Sequence, residues 1–117
     1  KDISLDLAKE VVAGVAKLEN KEITMDDIKK TVSNYYNISI DAIESKSRKH
    51  EIALSRQMCM QISKKLTNLS LKSIGAHFGG RDHSTVLHSC RAIDNYIETD
   101  KKVRADYEKI VSELKKR

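Results

Sequence analysis

Apolar side chains recur three and four residues apart along most of the chain, which is the repeat of an amphipathic α-helix. In the last segment they are Val103, Tyr107, Ile110, Val111 and Leu114. The pattern predicts helices over residues 4–18, 25–36, 51–68, 71–78, 83–98 and 101–116, with a short helix after Ser39. A chain of 117 residues has room for one domain, so we expect an all-α bundle.

Small polar residues and glycines mark where these helices begin and end. Thr24, Ser39 and Ser70 are suited to accept hydrogen bonds from the free N–H groups of a first helical turn. Gly79-Gly80 ends the helix that follows Ser70, because a tight turn there needs positive φ angles that residues with a β-carbon resist. Residues 70–98 therefore predict a short helix, a glycine turn and a longer helix, which is a helix-turn-helix.

Charge is distributed unevenly along the chain. The formal net charge is +5, but residues 45–91 alone contain nine Lys and Arg against two Asp and Glu, together with all four histidines. Residues 1–22 and 23–44 are each net negative. A surface that is only soluble has no reason to segregate charge in this way, whereas a surface that binds a polyanion does.

The residues after the glycine turn have the chemistry to contact DNA. The second helix of a helix-turn-helix normally enters the major groove with its N-terminus first, and here it starts with Asp82, His83 and Ser84. Aspartate can accept a hydrogen bond from a cytosine amino group, and histidine or serine can bond to base edges. Asp82 is equally suited to be the N-cap of the helix, or to do both. Thr85 suits a phosphate oxygen.

Further polar side chains border this helix. His88 and Arg91 fall on its exposed face and are placed to reach the DNA backbone, while Arg81 precedes the helix and can contact a base or a phosphate. In the preceding long helix, some polar residues lie off the apolar stripe and are expected to face solvent or a ligand. These residues are Arg56, Gln57 and Lys64.

Other classes of protein are disfavoured. Cys59 and Cys90 lie far apart, and no ligand pair has the close spacing of a zinc site, so neither a disulfide nor a metal is expected. Glu51 and Asp82, the two acidic residues of the basic block, are separated in sequence, so catalysis is not expected. No apolar run is long enough to span a bilayer and no signal-peptide pattern is present, which predicts a soluble intracellular protein.

These residues also carry a family resemblance. Residues 79–90 (GGRDHSTVLHSC) resemble the signature of the C-terminal DNA-binding domain of DnaA, the family of bacterial chromosomal replication initiators. Residues 56–58, 66–68 and 70–75 agree with the same family at the right separations. The resemblance covers about residues 22–117. It implies an all-α helical bundle that contains a helix-turn-helix and is preceded by a connector helix.

The resemblance implies recognition of DnaA boxes, short asymmetric sites of the TTATNCACA type at the replication origin. It assigns base contacts to Arg48 in the minor groove and to Leu71, Lys72, Asp82, His83 and Ser84. It assigns phosphate contacts to Arg56, Gln57, Lys64, Thr85, His88 and Arg91. Lys46 can share the work of Arg48 in the same loop, and we add Lys46 and Arg81 to the expected phosphate contacts. Lys72 and Ser55 stand where the family commonly has proline, and Ser84 where threonine is frequent, so Lys72 is open to a base or a phosphate contact.

For the organisation of the protein, the resemblance implies that residues 1–21 form a connector helix at the end of an upstream ATPase module and that residues 22–117 are the DNA-binding domain. The chain lacks a nucleotide-binding motif, so no cofactor is expected in it, and ATP with Mg²⁺ is expected upstream. The implied partners are duplex DNA and other copies of the full-length initiator, in the bacterial cytoplasm at the nucleoid. Acidic phospholipids are a further implied partner of the connector helix, although the net charge of that segment is not positive.

Three alternatives are open on the residues alone. A helix-turn-helix transcriptional regulator would need a dimerisation helix, and no strong apolar seam remains after the bundle core. A nuclease would need clustered carboxylates or a nucleophile. A protein-interaction bundle would leave the charge segregation unexplained.

Overall fold

The computed structural model describes residues 23–116. Within this range the chain forms six helices: α1 (Met25–Tyr36), α2 (Ile40–Glu44), α3 (His50–Leu66), α4 (Leu71–Ala76), α5 (His83–Thr99) and α6 (Lys101–Lys115). The described residues contain no strand, and the predicted all-α class is confirmed. The helix predicted over residues 4–18 and the boundary after residue 21 lie outside the described residues.

Side-chain caps start the helices where the sequence indicates. The hydroxyl of Thr24 accepts from the backbone N–H of Asp27, whose carboxylate accepts from the backbone N–H of Thr24, so α1 begins with a complete capping box. Ser39 and Ser70 cap α2 and α4 through their hydroxyls alone, which accept from the backbone N–H groups of Ala42 and Ser73. Asn37 ends α1 in the left-handed region, with φ 58°.

Helix α3 lies at the centre of the fold and packs against α1, α2, α4 and α5. Eight of the nine residues from Ser55 to Ser63 are buried, so the predicted single apolar stripe describes this helix poorly. Met60, which lies off that stripe, is fully buried. The expectation that Arg56 faces solvent or a ligand is wrong, because its residue is only 7% exposed. A helix surrounded on all sides has no solvent face at these positions.

Helix α5 packs against α3 along one face and leaves the opposite face exposed. Val86, Cys90 and Ile93 are buried against the core, and Ile97 packs against it in part. The opposite face is exposed, as predicted, at Ser84, His88, Arg91 and Asn95. The recognition helix of the helix-turn-helix is therefore anchored along one side and accessible along the other.

Helix α6 packs against α5 and α1 and is joined to α1 by a polar cluster. Asp106 is 4% exposed, and its two carboxylate oxygens accept from the hydroxyls of Tyr35 and Tyr36. Burial, followed by the charge of Asp106, raises the pKa of Tyr36, so this hydroxyl remains a donor at neutral pH. The cluster pins the two helices together in a region where the sequence pattern predicted apolar contacts alone.

Candidate nucleic-acid interface

The glycine turn between α4 and α5 has the conformation that the sequence predicts. Gly79 and Gly80 adopt φ angles of 83° and 75°, which β-carbon residues resist. The turn brings the backbone of Arg81 back to α4, where its N–H donates to the carbonyl of Gly75 at 3.0 Å. The start of α5 is thus held against α4 by a backbone hydrogen bond.

Gly75 makes this close approach possible. A β-carbon at this position would lie 2.0 Å from the carbonyl oxygen of Arg81, a distance that no real structure tolerates. The helical periodicity of the sequence does not indicate this role of Gly75. The available signal was the glycine itself, because a glycine inside a helix lowers helix stability by about 1 kcal/mol relative to alanine and usually has a packing reason.

Asp82 is the N-cap of α5 and presents the first turn of the helix. Its carboxylate accepts from the backbone N–H of Thr85 at 2.9 Å. The backbone and side-chain hydrogen bonds from Thr85, and then the nearby His83 and His88, lower the pKa of this exposed carboxyl. Asp82 is therefore ionised at neutral pH, and its capping role is confirmed. Its role in reading bases stays a prediction.

The other residues predicted to contact bases lie on two helix starts and one loop. His83 and Ser84 are exposed in the first turn of α5, next to the cap. Lys72 is exposed in the first turn of α4, and Leu71 beside it is half-buried against the core. Arg48 is exposed in the connection between α2 and α3, residues 45–49, which we call the basic loop.

The residues predicted to bind phosphate divide into two groups. One group is accessible: Lys46, Lys64, His88 and Arg91 are exposed, and Gln57 and Thr85 are half-buried. In the other group the guanidinium groups are turned into the protein. Arg56 donates to the carbonyls of Ile43 and Ser47, and Arg81 donates to the carbonyl of Ser45. These two side chains are bonded to the chain itself rather than directed freely to solvent.

Lys29 is a further cation near this surface that the sequence pattern did not single out. It is 5% exposed and donates to the carboxylate of Glu44 and to the carbonyl of His77 at 3.0 Å. Its ammonium group also lies 5.1 Å from the centre of the Phe78 ring. Lys29 therefore joins the end of α2, where the basic loop begins, to the end of α4, where the turn begins.

Within residues 23–116, no group of three His, Cys, Asp or Glu side chains is arranged to hold a metal ion. Both cysteines are buried as free thiols, and burial raises the pKa of each. None of the helices described here has the length and apolar character needed to cross a membrane.

A short helix, a glycine turn and a longer helix, with a capped and exposed helix start beside a cationic loop, define a helix-turn-helix domain of the DNA-binding class. Charge points to the same class, since nine basic residues fall between residues 45 and 91.

Comparison with known proteins agrees with this class and identifies the family. The family model described as the bacterial DnaA protein helix-turn-helix matches residues 25–93. The chromosomal replication initiator protein DnaA of Bacteroides thetaiotaomicron is 42% identical over 117 residues, which is 100% of this chain and 25% of that protein. The chain therefore belongs to the DnaA family and comprises its C-terminal helix-turn-helix domain, a DNA-binding module without catalytic activity.

Two further relatives carry the same name. The protein of Chromobacterium violaceum is 43% identical over 114 residues, 97% of this chain and 24% of the relative. That of Laribacter hongkongensis is 46% identical over 105 residues, 90% of this chain and 22% of the relative. The chain thus spans about a quarter of the length of the curated relatives it matches.

Proposed function

We propose that this domain binds DnaA boxes in duplex DNA and serves as the DNA-reading part of a chromosomal replication initiator. The observation that carries the proposal is the start of α5, where Asp82, His83 and Ser84 are exposed on a helix turn that Asp82 itself caps. A rigid, capped helix start lets short polar side chains meet base edges at a defined depth in the major groove.

In this proposal the basic loop and α4 read the DNA beside the major-groove contact. Arg48 enters the minor groove, where a narrow A·T-rich segment has the negative potential that attracts arginine. Leu71 and Lys72 approach the DNA from the first turn of α4, Leu71 through apolar contact and Lys72 through a base edge or a phosphate. The exposed side chains Lys46, Lys64, Thr85, His88 and Arg91 bind phosphates on either side, together with Gln57.

The wider role follows from the family and is part of the same proposal. The relatives are named chromosomal replication initiators, and this chain corresponds to about a quarter of their length. We infer that the domain delivers a longer initiator to the origin, beside other copies of that protein. Nucleotide chemistry and contacts with acidic phospholipids belong in this view to parts outside residues 23–116.

Fluorescence anisotropy with a DnaA-box duplex and a scrambled duplex of equal length, across a salt series, tests the proposal. We expect binding to the box to survive salt that releases the scrambled duplex, since base contacts add to the electrostatic attraction that both duplexes share. Equal and equally salt-dependent binding to both duplexes would contradict box recognition and leave a generic basic DNA binder.

A histidine pair sharpens this test. His83→Ala should reduce the free energy of binding to the box by about 1–3 kcal/mol and barely change binding to scrambled DNA. His77→Ala is the matched control, because His77 is also exposed but lies at the C-terminal end of α4, in the groove that contains Ile23 and Lys65. Equal losses on both duplexes for His83→Ala would remove this residue from base readout.

A further inference from the structure

We propose that Arg56 and Arg81 are positioning residues that hold the basic loop in the shape that directs Arg48 into the minor groove, and that Arg81 couples this loop to the turn before α5. The inference rests on the proposed function, and it assigns to these two arginines a role other than direct phosphate binding. Minor-groove and major-groove reading then depend on one shared internal linkage.

The two guanidinium groups together bond three carbonyls at and before the basic loop. Arg56 donates from Nε to Ile43 at 2.8 Å and from Nη2 to Ser47 at 3.0 Å. Arg81 donates from Nη2 to Ser45 at 3.2 Å. Alternate residues of the chain, 43, 45 and 47, are therefore held from the protein side. A loop without regular secondary structure gains a defined path from these bonds.

From Ser45 to Arg48 the side chains alternate in exposure in the same way. Ser45 and Ser47 are half-buried, whereas Lys46 and Arg48 between and after them are exposed. Ser45 has extended backbone, where successive side chains point to opposite sides, so the half-buried serines leave Lys46 and Arg48 on the exposed side. Fixing residues 45 and 47 to the protein therefore aims Arg48 outward.

Arg81 connects this loop to the helix-turn-helix. Its backbone is bonded to Gly75 of α4 and immediately precedes the cap Asp82, while its side chain reaches Ser45. The turn also approaches the end of α2 directly, because a β-carbon on Gly79 would lie 3.5 Å from the carbonyl of Glu44. A shift of the start of α5 would thus be transmitted to the basic loop.

The proximity of two cations supports a positioning role. Arg56 and Arg81 bond to carbonyls only two residues apart, at Ser47 and Ser45, and burial and then the charge of Arg81 lower the pKa of Arg56. The carbonyl acceptors offset the repulsion between the two cations. Arginine suits the task because its planar fork donates to two acceptors at once, which the single ammonium group of lysine does not reproduce in the same geometry.

A double-mutant cycle on the full 117-residue chain tests the coupling. Affinities for the DnaA-box duplex are measured for Arg48→Ala, Arg81→Ala and the double variant. If Arg81 acts through Arg48, each single variant loses roughly tenfold in affinity and the double variant loses little more than Arg48→Ala alone. Independent contacts to DNA would instead multiply to about a hundredfold loss, which would overturn the proposal.

Lys64 provides the control cycle. Lys64 is exposed on α3 and bonded to no part of the basic loop among the described residues, so Lys64→Ala and Arg48→Ala should combine multiplicatively. The wild-type ratio of box to scrambled binding is measured alongside. Absence of any box preference in the wild type would count against the proposed function, whereas box preference with multiplicative Arg48 and Arg81 losses would count against the positioning role alone.

A conservative variant separates positioning from charge and guards against loss of folding. Arg56→Lys keeps the positive charge, so a phosphate contact should survive it. The two hydrogen bonds to the carbonyls of Ile43 and Ser47 should not both survive, because lysine lacks the planar fork of arginine. We expect reduced selectivity at the A·T end of the box with an unchanged slope of affinity against salt, at temperatures where thermal unfolding shows the variant is folded. Retained selectivity at that end would contradict the inference.

Discussion

Polar side-chain contacts stabilise two regions of this domain, and they act on different kinds of structure in the two. In the first region, the proposed DNA-facing side, Arg56 and Arg81 donate to backbone carbonyls at the basic loop or just before it. In the second region, the α1–α6 contact, the hydroxyls of Tyr35 and Tyr36 donate to the buried carboxylate of Asp106. The first set shapes chain that has no regular secondary structure of its own, and the second joins two helices that are already formed.

Polar side-chain contacts therefore fix local geometry at the basic loop and add stability where α1 meets α6. Removing a contact that shapes the basic loop should change which DNA is bound. Removing one that joins α1 to α6 should change the free energy of unfolding and leave the choice of DNA as it was. Single substitutions in the two regions test that separation.

Gly75→Ala should affect both stability and DNA binding. The added β-carbon would meet the carbonyl oxygen of Arg81 at 2.0 Å, so the backbone before α5 must move. We expect a loss of about 3 kcal/mol in the free energy of unfolding, together with loss of box preference in the folded fraction. Denaturant unfolding and anisotropy with the two duplexes measure these quantities.

Gly80→Ala is the matched control for that variant. A β-carbon there meets no atom within 4 Å, so only the left-handed backbone, with φ 75°, opposes it. We expect a loss of about 1–2 kcal/mol from that conformation. If Gly75→Ala proved no more destabilising than Gly80→Ala, the close approach of Arg81 to α4 would not be a constraint on this fold.

Asp106→Ala should destabilise the domain and leave DNA selectivity unchanged. The change removes the carboxylate that accepts from the hydroxyls of Tyr35 and the half-buried Tyr36. It also removes side-chain atoms from a position that is only 4% exposed. We expect the free energy of unfolding to fall by about 2 kcal/mol. The ratio of box to scrambled affinity, measured well below the unfolding transition, should match the wild type. A changed ratio would show that the α1–α6 contact also controls the DNA-facing side.

Lys64→Ala should give the smallest effect, confined to binding. Lys64 is exposed on α3, and we expect a change in unfolding free energy within about 0.5 kcal/mol. Loss of one phosphate contact should reduce the slope of log affinity against log salt by about one for both duplexes. The adjacent exposed Lys65 is the control, because Lys65→Ala removes the same charge from a side chain that lines a different groove, with Ile23 and Leu69.

A selective loss of box binding in Lys64→Ala would contradict a phosphate contact and indicate base readout instead. Equal slopes for the two lysine variants would mean that total charge, and not position on the surface, sets the salt dependence.

The local features of this fold could be predicted from the sequence because they depend on neighbours in the chain. The caps at Thr24, Ser39 and Ser70 and the positive φ of Gly79 and Gly80 arise within four residues of chain. Helical periodicity predicted most boundaries to within two residues. The family signature at residues 79–90 falls on the turn and the start of α5, which are local structures too.

The tertiary structure alone decided which charged side chains remain free. The sequence predicts a DNA contact for both Arg48 and Arg56. Arg48 is exposed in the basic loop, whereas Arg56 is 7% exposed and donates to carbonyls nine and thirteen residues away. Asp106 is buried by tyrosines 70 and 71 residues earlier. Periodicity reports one face of one helix, whereas burial depends on what distant segments place around it. Around α3 these segments bury eight of the nine residues from Ser55 to Ser63.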